Sequence, residues 1–316
     1  MSTEQNFLQR YGHMTLGEIT ADWQPAELPE DADWVRLPPA DFLAFCRDYP
    51  RLPFDAIPPS AEQRKPASFL ISQAHRLWLT TSLVHERLTG LRARNLLDLG
   101  SFPYFTPLIL RDYFGYQGEI TVTTNLDPTP ETLKVLDAKR IHVQLLDLDP
   151  YVRDPADPVS LPRKLDAPDG SFDLIVSSHV IEHLYHPRVM LEECQRLLRP
   201  GGEVIITTDN AMMIDVFGNY IGGYGYTFEP VEQTAAMHFD FWRGHVRFFT
   251  ERDLRVLLEK AGLSLSRTEY AHCFYNVLFE EYFTSPSPIL PGWNQRMLAE
   301  TPWLRNDIAV VGTKPG

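Results

Sequence analysis

Cysteine, positive charge, long apolar runs and glycine at the expected place are all scarce in this chain, and each scarcity excludes something. The three cysteines, Cys46, Cys194 and Cys273, are odd in number and far apart. No disulfide framework is expected from them, and a reducing compartment is. Lys and Arg total 29 against 42 Asp and Glu, a formal charge of -13. That balance argues against a broad phosphate-backbone footprint, and so against a nucleic-acid partner. No apolar run approaches the roughly 20 residues that a membrane-crossing helix needs. The opening MSTEQNFLQRYGH lacks the basic and apolar segments of a secretory signal. The expectation is a cytoplasmic protein with no membrane attachment. Phosphate-cradling glycines are missing too: there is no Walker loop and no G-x-G-x-x-G, which disfavours a pyrophosphate ligand and a nicotinamide-dependent oxidoreductase.

What is present is a chain with an apolar fraction of 44% and 22% charged residues, ordinary values for a globular protein that buries a sizeable core. Prolines recur through the first 65 residues, at positions such as Pro25, Pro38, Pro39, Pro58 and Pro59, and break long elements. A short helix is expected over Asp41–Tyr49. A longer one is expected over Ala67–Leu88, where Leu70, Ala74, Leu77, Val84 and Leu88 make one apolar stripe ended by Gly90. Residues 1–90 read as a mostly helical extension docked on the body. It is a candidate lid, substrate wall or homodimer contact, or else a structural cap.

From residue 91 to 316 strands and helices alternate. Strands are expected at Asn95–Leu99, Glu119–Thr124, Ile141–Leu146, Ser171–Ser178, in EVIITT after Gly202, near Leu263–Tyr270 and at Asp307–Thr313. Helices are expected at Pro107–Tyr113, Thr129–Ala138, Pro187–Leu198 and Glu251–Ala261. RPGG stops the third of these, and a box of Thr250 and Asp253 starts the fourth. Such alternation means a largely parallel sheet wrapped by helices. Its ligands bind at the carboxyl ends of the strands, at the switch point beside the first.

Four runs, LLDLGS at Leu96–Ser101, FDLIVSSHVIEHL at Phe172–Leu184, LLRPGGEVIITT at Leu197–Thr208 and HVRFFTERDLRVLLEKAGL at His245–Leu263, together resemble the class I S-adenosylmethionine-dependent methyltransferases in order and spacing. The resemblance covers roughly residues 92–315. It implies a Rossmann-like α/β fold with a seven-stranded sheet whose last strand is antiparallel. It also implies S-adenosyl-L-methionine as cofactor, with S-adenosyl-L-homocysteine as product.

The same resemblance suggests site residues. Asp98 and Gly100 match the first motif, beside the cofactor's amino-acid end, with Ser101 and Phe102 offering backbone groups. The departure is that further glycines are usual where Phe102 and Tyr104 stand. Asn125 aligns with the ribose-binding acidic residue, and Asp127 is the alternative. Asp147 stands where the adenine amine is received, with the Leu148 amide beside it and Asp149 competing for the role. Ser178 and His179 are expected to face the cofactor. The Glu182, His183 and His186 group has a general base or a metal site as its functional readings; the resemblance implies that it knits loop to helix, and no metal is expected. Residues 210–247, rich in Gly, Tyr and Phe, are the expected acceptor-binding insertion, with Tyr220, Tyr224 and Tyr226 as candidate walls. His245 is the first choice for a base and His238 the second, with His179 a further candidate.

The function implied is methyl transfer to an oxygen or nitrogen of a small-molecule acceptor, a sugar or secondary metabolite being candidates. The alternative is a non-catalytic protein of the same fold acting as scaffold or partner.

Overall fold

The computed structural model describes residues 38–50, 52, 70, 73–149, 164–213, 245–273 and 300–316. Helix α1 spans Ala40–Asp48 and α2 Ala74–Leu91. Then follow β1 (Asn95–Leu99), α3 (Phe105–Asp112), β2 (Glu119–Thr124), α4 (Pro130–Ala138) and β3 (Ile141–Leu145). The second half holds β4 (Phe172–Ser178), α5 (Pro187–Leu197), β5 (Leu198–Asp209), α6 (Glu251–Lys260), β6 (Ser264–Ala271) and β7 (Asp307–Thr313). The strands form one sheet in the order β3-β2-β1-β4-β5-β7-β6. β1 to β5 run parallel, and β7 is antiparallel to both β5 and β6. The expected Rossmann-like sheet with its antiparallel last strand is present.

Residue alternation explains why both faces are covered. On one face Leu96, Leu174, Val176 and Ile205 join Phe42, Leu83, Leu108 and Leu136 from α1 to α4. On the other, Leu97, Leu99, Ile175 and Val204 join Leu191 and Cys194 of α5 and Leu254 and Leu258 of α6. Each fully buried aliphatic side chain stabilises by roughly 1.5–3 kcal/mol. A one-residue slip of β1 would turn every leucine to the opposite face and strand Asp98 among them. Burial on two faces therefore sets the register.

Helix α2 belongs to this core. Its Leu77, Leu83, Val84 and Leu88 are buried in the same cluster as the strands. The Thr80 hydroxyl lies 3.2 Å from that of Ser178, and Arg87 grips Glu203 of β5 through two bonds of 2.7 and 2.5 Å. Phe42 of α1 packs its ring on Trp78 and Tyr113, with centroids 5.0 and 5.1 Å away.

Two expected boundaries are corrected. Gly90 does not end α2: the helix passes through it, and Arg92 closes it in the left-handed conformation (φ 49°), its N–H donating to Leu88 and Thr89. The described run of the helix begins at Ala74, with Leu70 also helical, and the expected start at Ala67 lies outside the described residues. RPGG is not a turn before β5 but part of it. Leu198 already pairs with Phe172, and the ladder is irregular between Phe172 and Leu174. A Cβ on Gly202 would stand 2.9 Å from the Arg199 carbonyl and 3.0 Å from that of Asp173, so only glycine lets the strand continue there. At α6 the capping box of Thr250 and Asp253 forms as expected.

Candidate functional site

The parallel strands end on a common edge, and backbone bonds clasp those ends together. Ser101 N–H donates to Thr123, Leu146 N–H to Thr124 and His179 N–H to Thr207, each at 2.9 Å. The switch point lies between β1 and β4, where successive crossovers leave the sheet in opposite directions.

At β1 the turn is built around Asp98 and Gly100. Asp98 is buried, and its Oδ2 accepts the Ser101 hydroxyl at 2.5 Å. Burial pushes its carboxyl up to about 7, against the opposite pull of that hydroxyl. Gly100 sits at φ +67°, and a Cβ there would stand 2.7 Å from Cγ2 of Val180. Only glycine serves here, for conformation and for space alike. The aromatic run that follows separates by side. Tyr104 and Phe105 are 1% and 2% exposed and join the core, whereas Phe102 is 43% exposed and stands at the rim. The Phe102 and Tyr104 rings meet edge to face, 5.8 Å apart. Replacing the family's later glycines thus leaves one outward-facing aromatic rather than a plug of several.

Beyond β2, Asn125 and Asp127 are both exposed. Beyond β3, Asp147 and Leu148 are half-buried, and Asp147 Oδ1 accepts the Asp149 N–H at 2.9 Å. Asp149 is fully buried and accepts the Tyr185 N–H at 2.6 Å, with His186 Nδ1 3.0 Å away. It therefore ties the β3 loop to the segment after β4, which leaves Asp147 as the carboxylate at the rim.

The end of β4 departs from expectation. The Ser178 hydroxyl lies 3.2 Å from both the Thr80 and Thr207 hydroxyls, engaged beneath α2. His179, expected as a site-facing candidate base, is buried and held at φ +52°. Its Nδ1 lies 3.2 Å from Glu182 Oε1, and its Nε2 3.2 Å from Asp307 Oδ1. Neither contact has hydrogen-bond alignment, so both are ion pairs of close approach rather than directed bonds. Burial and then Arg76 oppose charge on the ring. Asp307 and Glu182 outweigh them and raise the imidazole to about 9. A buried, protonated imidazole cannot accept a proton near neutral pH, so His179 is withdrawn as a base.

His245 enters from the chain that returns to α6. The Glu182 carbonyl accepts the N–H groups of Val246 at 2.8 Å and Arg247 at 3.4 Å, and an Arg247 guanidinium N–H donates to Tyr185 O at 3.1 Å. This docking sets the His245 ring 4.8 Å from that of His183, with Nδ1 3.3 Å from Asp209 Oδ2. Burial, and next the neighbouring His183, hold its pKa down to about 4, so it is neutral. Burial raises Asp209 to about 6. Burial also opposes charge on Glu182, but His179 outweighs it and lowers that carboxyl. His238, Tyr220, Tyr224 and Tyr226 lie outside the described residues.

Sequence reading brought Asp98, Gly100, Asn125, Asp147 and His245 to the same edge. It missed Asp209, Asp307 and Arg76, which only the tertiary fold brings to the His179 corner. One signal was available for Asp307, a carboxylate opening the apolar run DIAVVGT.

Comparison with known proteins bears on the family. A family model described as a methyltransferase domain matches residues 76–267. A Mycolicibacterium smegmatis protein named a probable S-adenosylmethionine-dependent methyltransferase is 32% identical over 154 residues, 48% of this chain and 52% of its own. The mitochondrial ubiquinone biosynthesis O-methyltransferase of Mus musculus is 27% identical over 187 residues, 59% of this chain and 46% of its own. The chain thus spans about half the length of these curated relatives. Among solved structures, the Burkholderia thailandensis 1,6-didemethyltoxoflavin-N1-methyltransferase with bound S-adenosylhomocysteine superposes with a TM-score of 0.43 at 14% identity, covering 76% of this chain and 79% of that one. No helix among the described residues is long and apolar enough to cross a membrane. By its matched domain and its sheet, the chain belongs to the class I S-adenosylmethionine-dependent methyltransferase family.

Proposed function

We propose that the protein transfers a methyl group from S-adenosylmethionine to an oxygen of a small-molecule acceptor. The observation that carries this reading is the gathering of unlike groups along one edge of the sheet. Asp98 and the Gly100 turn, Asn125, Asp147 and the exposed Phe102 ring follow one another around the ends of β1, β2 and β3.

The cofactor's parts fit this set. Its ammonium suits the buried carboxyl of Asp98, which a neighbouring cation would draw into its charged form. Its ribose hydroxyls suit the exposed Asn125 amide, and its adenine amine suits Asp147. An aromatic rim suits a purine and a sulfonium alike. When bound, the cofactor supplies a methyl carried on a sulfonium. An acceptor oxygen displaces that methyl as the carbon–sulfur bond breaks, the bonding pair staying on sulfur.

The chain's own contribution is placement. Oriented reactants reach effective molarities of ~10⁵ M or more, so the clasped strand ends and the docked His245 segment matter more than any single strong acid or base. Loss of the acceptor proton is assigned to the corner of Asp209, His183 and His245, not to His179. Oxygen is preferred over nitrogen because several relatives are named O-methyltransferases; nitrogen remains the second acceptor type. Acidic net charge supports a small acceptor rather than nucleic acid, and a cytoplasmic setting is part of the same reading. Self-association through the N-terminal extension is proposed too, and sedimentation of the whole chain against one lacking residues 1–37 tests it.

The functional test is a transfer assay. Purified protein is incubated with S-adenosylmethionine labelled in its methyl group and a panel of hydroxylated and aminated small molecules. Labelled product with at least one acceptor class supports the reading. Cofactor binding without transfer to any of them favours a non-catalytic protein of the same fold.

A further inference from the structure

We propose that Glu182, His183 and His245 form a binding site for a divalent transition-metal cation of the zinc class. Their ligand atoms all lie within 4.8 Å of one another. Ligands about 2.1 Å from one ion stand roughly 3.4 Å apart in a tetrahedron, so small side-chain rotations close the site.

Three features distinguish this trio from a chance cluster. The two segments that carry it are 62 residues apart and locked together by the Glu182 carbonyl, which accepts the N–H groups of both Val246 and Arg247. Glu182 is wholly buried; its Oε2 takes the Thr208 hydroxyl at 2.8 Å, while its Oε1 faces His179 Nδ1 at 3.2 Å without hydrogen-bond alignment. Lastly, Asp209 Oδ2 stands 3.3 Å from His245 Nδ1. That is the outer carboxylate which orients a ligating imidazole and leaves Nε2 as donor.

A second grouping, His179, Glu182 and Asp209, is equally close. All three of its members are buried, and His179 is spanned by Glu182 and Asp307, so a cation has no open approach. His183 and His245 are only half-buried, which gives the first trio an entry. Two imidazoles and one carboxylate suit zinc, cobalt or nickel rather than magnesium or calcium, and three protein ligands leave one position open. Sequence reading expected no metal here, because His179 stands in place of a carboxylate and the Glu182–His183 pair was read as knitting loop to helix. If methyl transfer is the reaction, a cation in this place would lower the pKa of an acceptor hydroxyl, and His245 would serve as ligand instead of base. That consequence rests on the proposed function; the binding site itself does not.

The test uses the full chain stripped with a chelator and titrated with Zn²⁺ by calorimetry, with metal content measured after gel filtration. One zinc per chain is expected. His183→Ala and His245→Ala should each weaken binding by at least roughly tenfold, about 1.4 kcal/mol. Co²⁺ in the same site should give the visible spectrum of a low-coordinate complex. His142→Ala, an exposed imidazole on β3, should change nothing. His245→Asn and a thermal melt guard against misfolding. Absent stoichiometric binding, or binding that both histidine variants leave unchanged, overturns the proposal. S-adenosylhomocysteine titrated into the same samples separates the two readings. Cofactor without zinc contradicts only the metal site, and zinc without cofactor contradicts only the methyltransferase function.

Discussion

Nε2 of His179 lies 3.2 Å from Oδ1 of Asp307, a contact that joins the end of β4 to the start of β7 across 128 residues. Glu182 closes on the other ring nitrogen at the same distance. The imidazole therefore balances charge inside the protein, where two carboxylates without a cation would be costly. Removing one partner of a buried pair destabilises by about 3–5 kcal/mol, because the charge left behind has no compensation. His179→Ala should show a loss of that size in urea unfolding. A change under about 1 kcal/mol would mean that the carboxylates are neutralised by other means.

The Asp98 carboxyl predicts a pH dependence. Its folded pKa is raised to about 7 from an ordinary 3.8, burial being the larger cause. A raised folded value means that its contribution to stability is fully present below 3.8 and is lost as pH rises through 7. At about 1.4 kcal/mol per unit, the unliganded protein should lose roughly 3 kcal/mol between pH 5 and pH 8 from this group. Asp98→Asn keeps the shape and removes the titration. Paired unfolding curves for both proteins at the two pH values should differ in slope, and identical slopes would contradict the assignment.

Strand positions were legible because they depend on local pattern. Asn95–Leu99, Glu119–Thr124 and Asp307–Thr313 are runs of buried aliphatic residues bounded by polar turns, and the structure begins and ends them at the same residues. The capping box of Thr250 and Asp253 was legible for the same reason. Boundaries set by tertiary contact were not. Gly90 reads as a stop, yet α2 runs on because its apolar stripe keeps packing on the sheet as far as Leu88. RPGG reads as a turn, yet Leu198 is already paired with Phe172. In the site, Asp98, Gly100, Asn125 and Asp147 follow from strand ends alone. The burial of His179 does not, since it requires knowing that β7 inserts beside β5 and brings Asp307 with it.

Gly100 separates two costs that are usually confounded. An alanine there suffers both the left-handed φ of +67° and a 2.7 Å contact with Val180 Cγ2. Gly100→Ala should cost about 1–3 kcal/mol in stability. Adding Val180→Ala removes only the contact. In a double-mutant cycle the two changes should couple favourably by roughly 0.5 kcal/mol or more. Strict additivity would show that conformation alone demands the glycine.

Arg87 and Glu203 test whether the extension is integral to the fold. Glu203 is only 5% exposed and accepts both guanidinium bonds from α2. Losing Arg87 leaves this carboxylate poorly compensated, at a cost of about 1–3 kcal/mol once the partial exposure of Arg87 is discounted. Arg87→Ala should lower the unfolding midpoint in a single cooperative transition. An early separate transition of the helical segment would instead show that α2 unfolds on its own.

Titration of S-adenosylhomocysteine into the purified protein, and into its Asp98→Ala and Asp147→Ala variants, bears most directly on the claim that the edge beside β1 receives the sulfonium nucleotide. One molecule per chain should bind at about micromolar concentration, and each variant should lose at least roughly tenfold in affinity. No heat of binding at millimolar ligand in the unaltered protein, or full affinity in both variants, would contradict it.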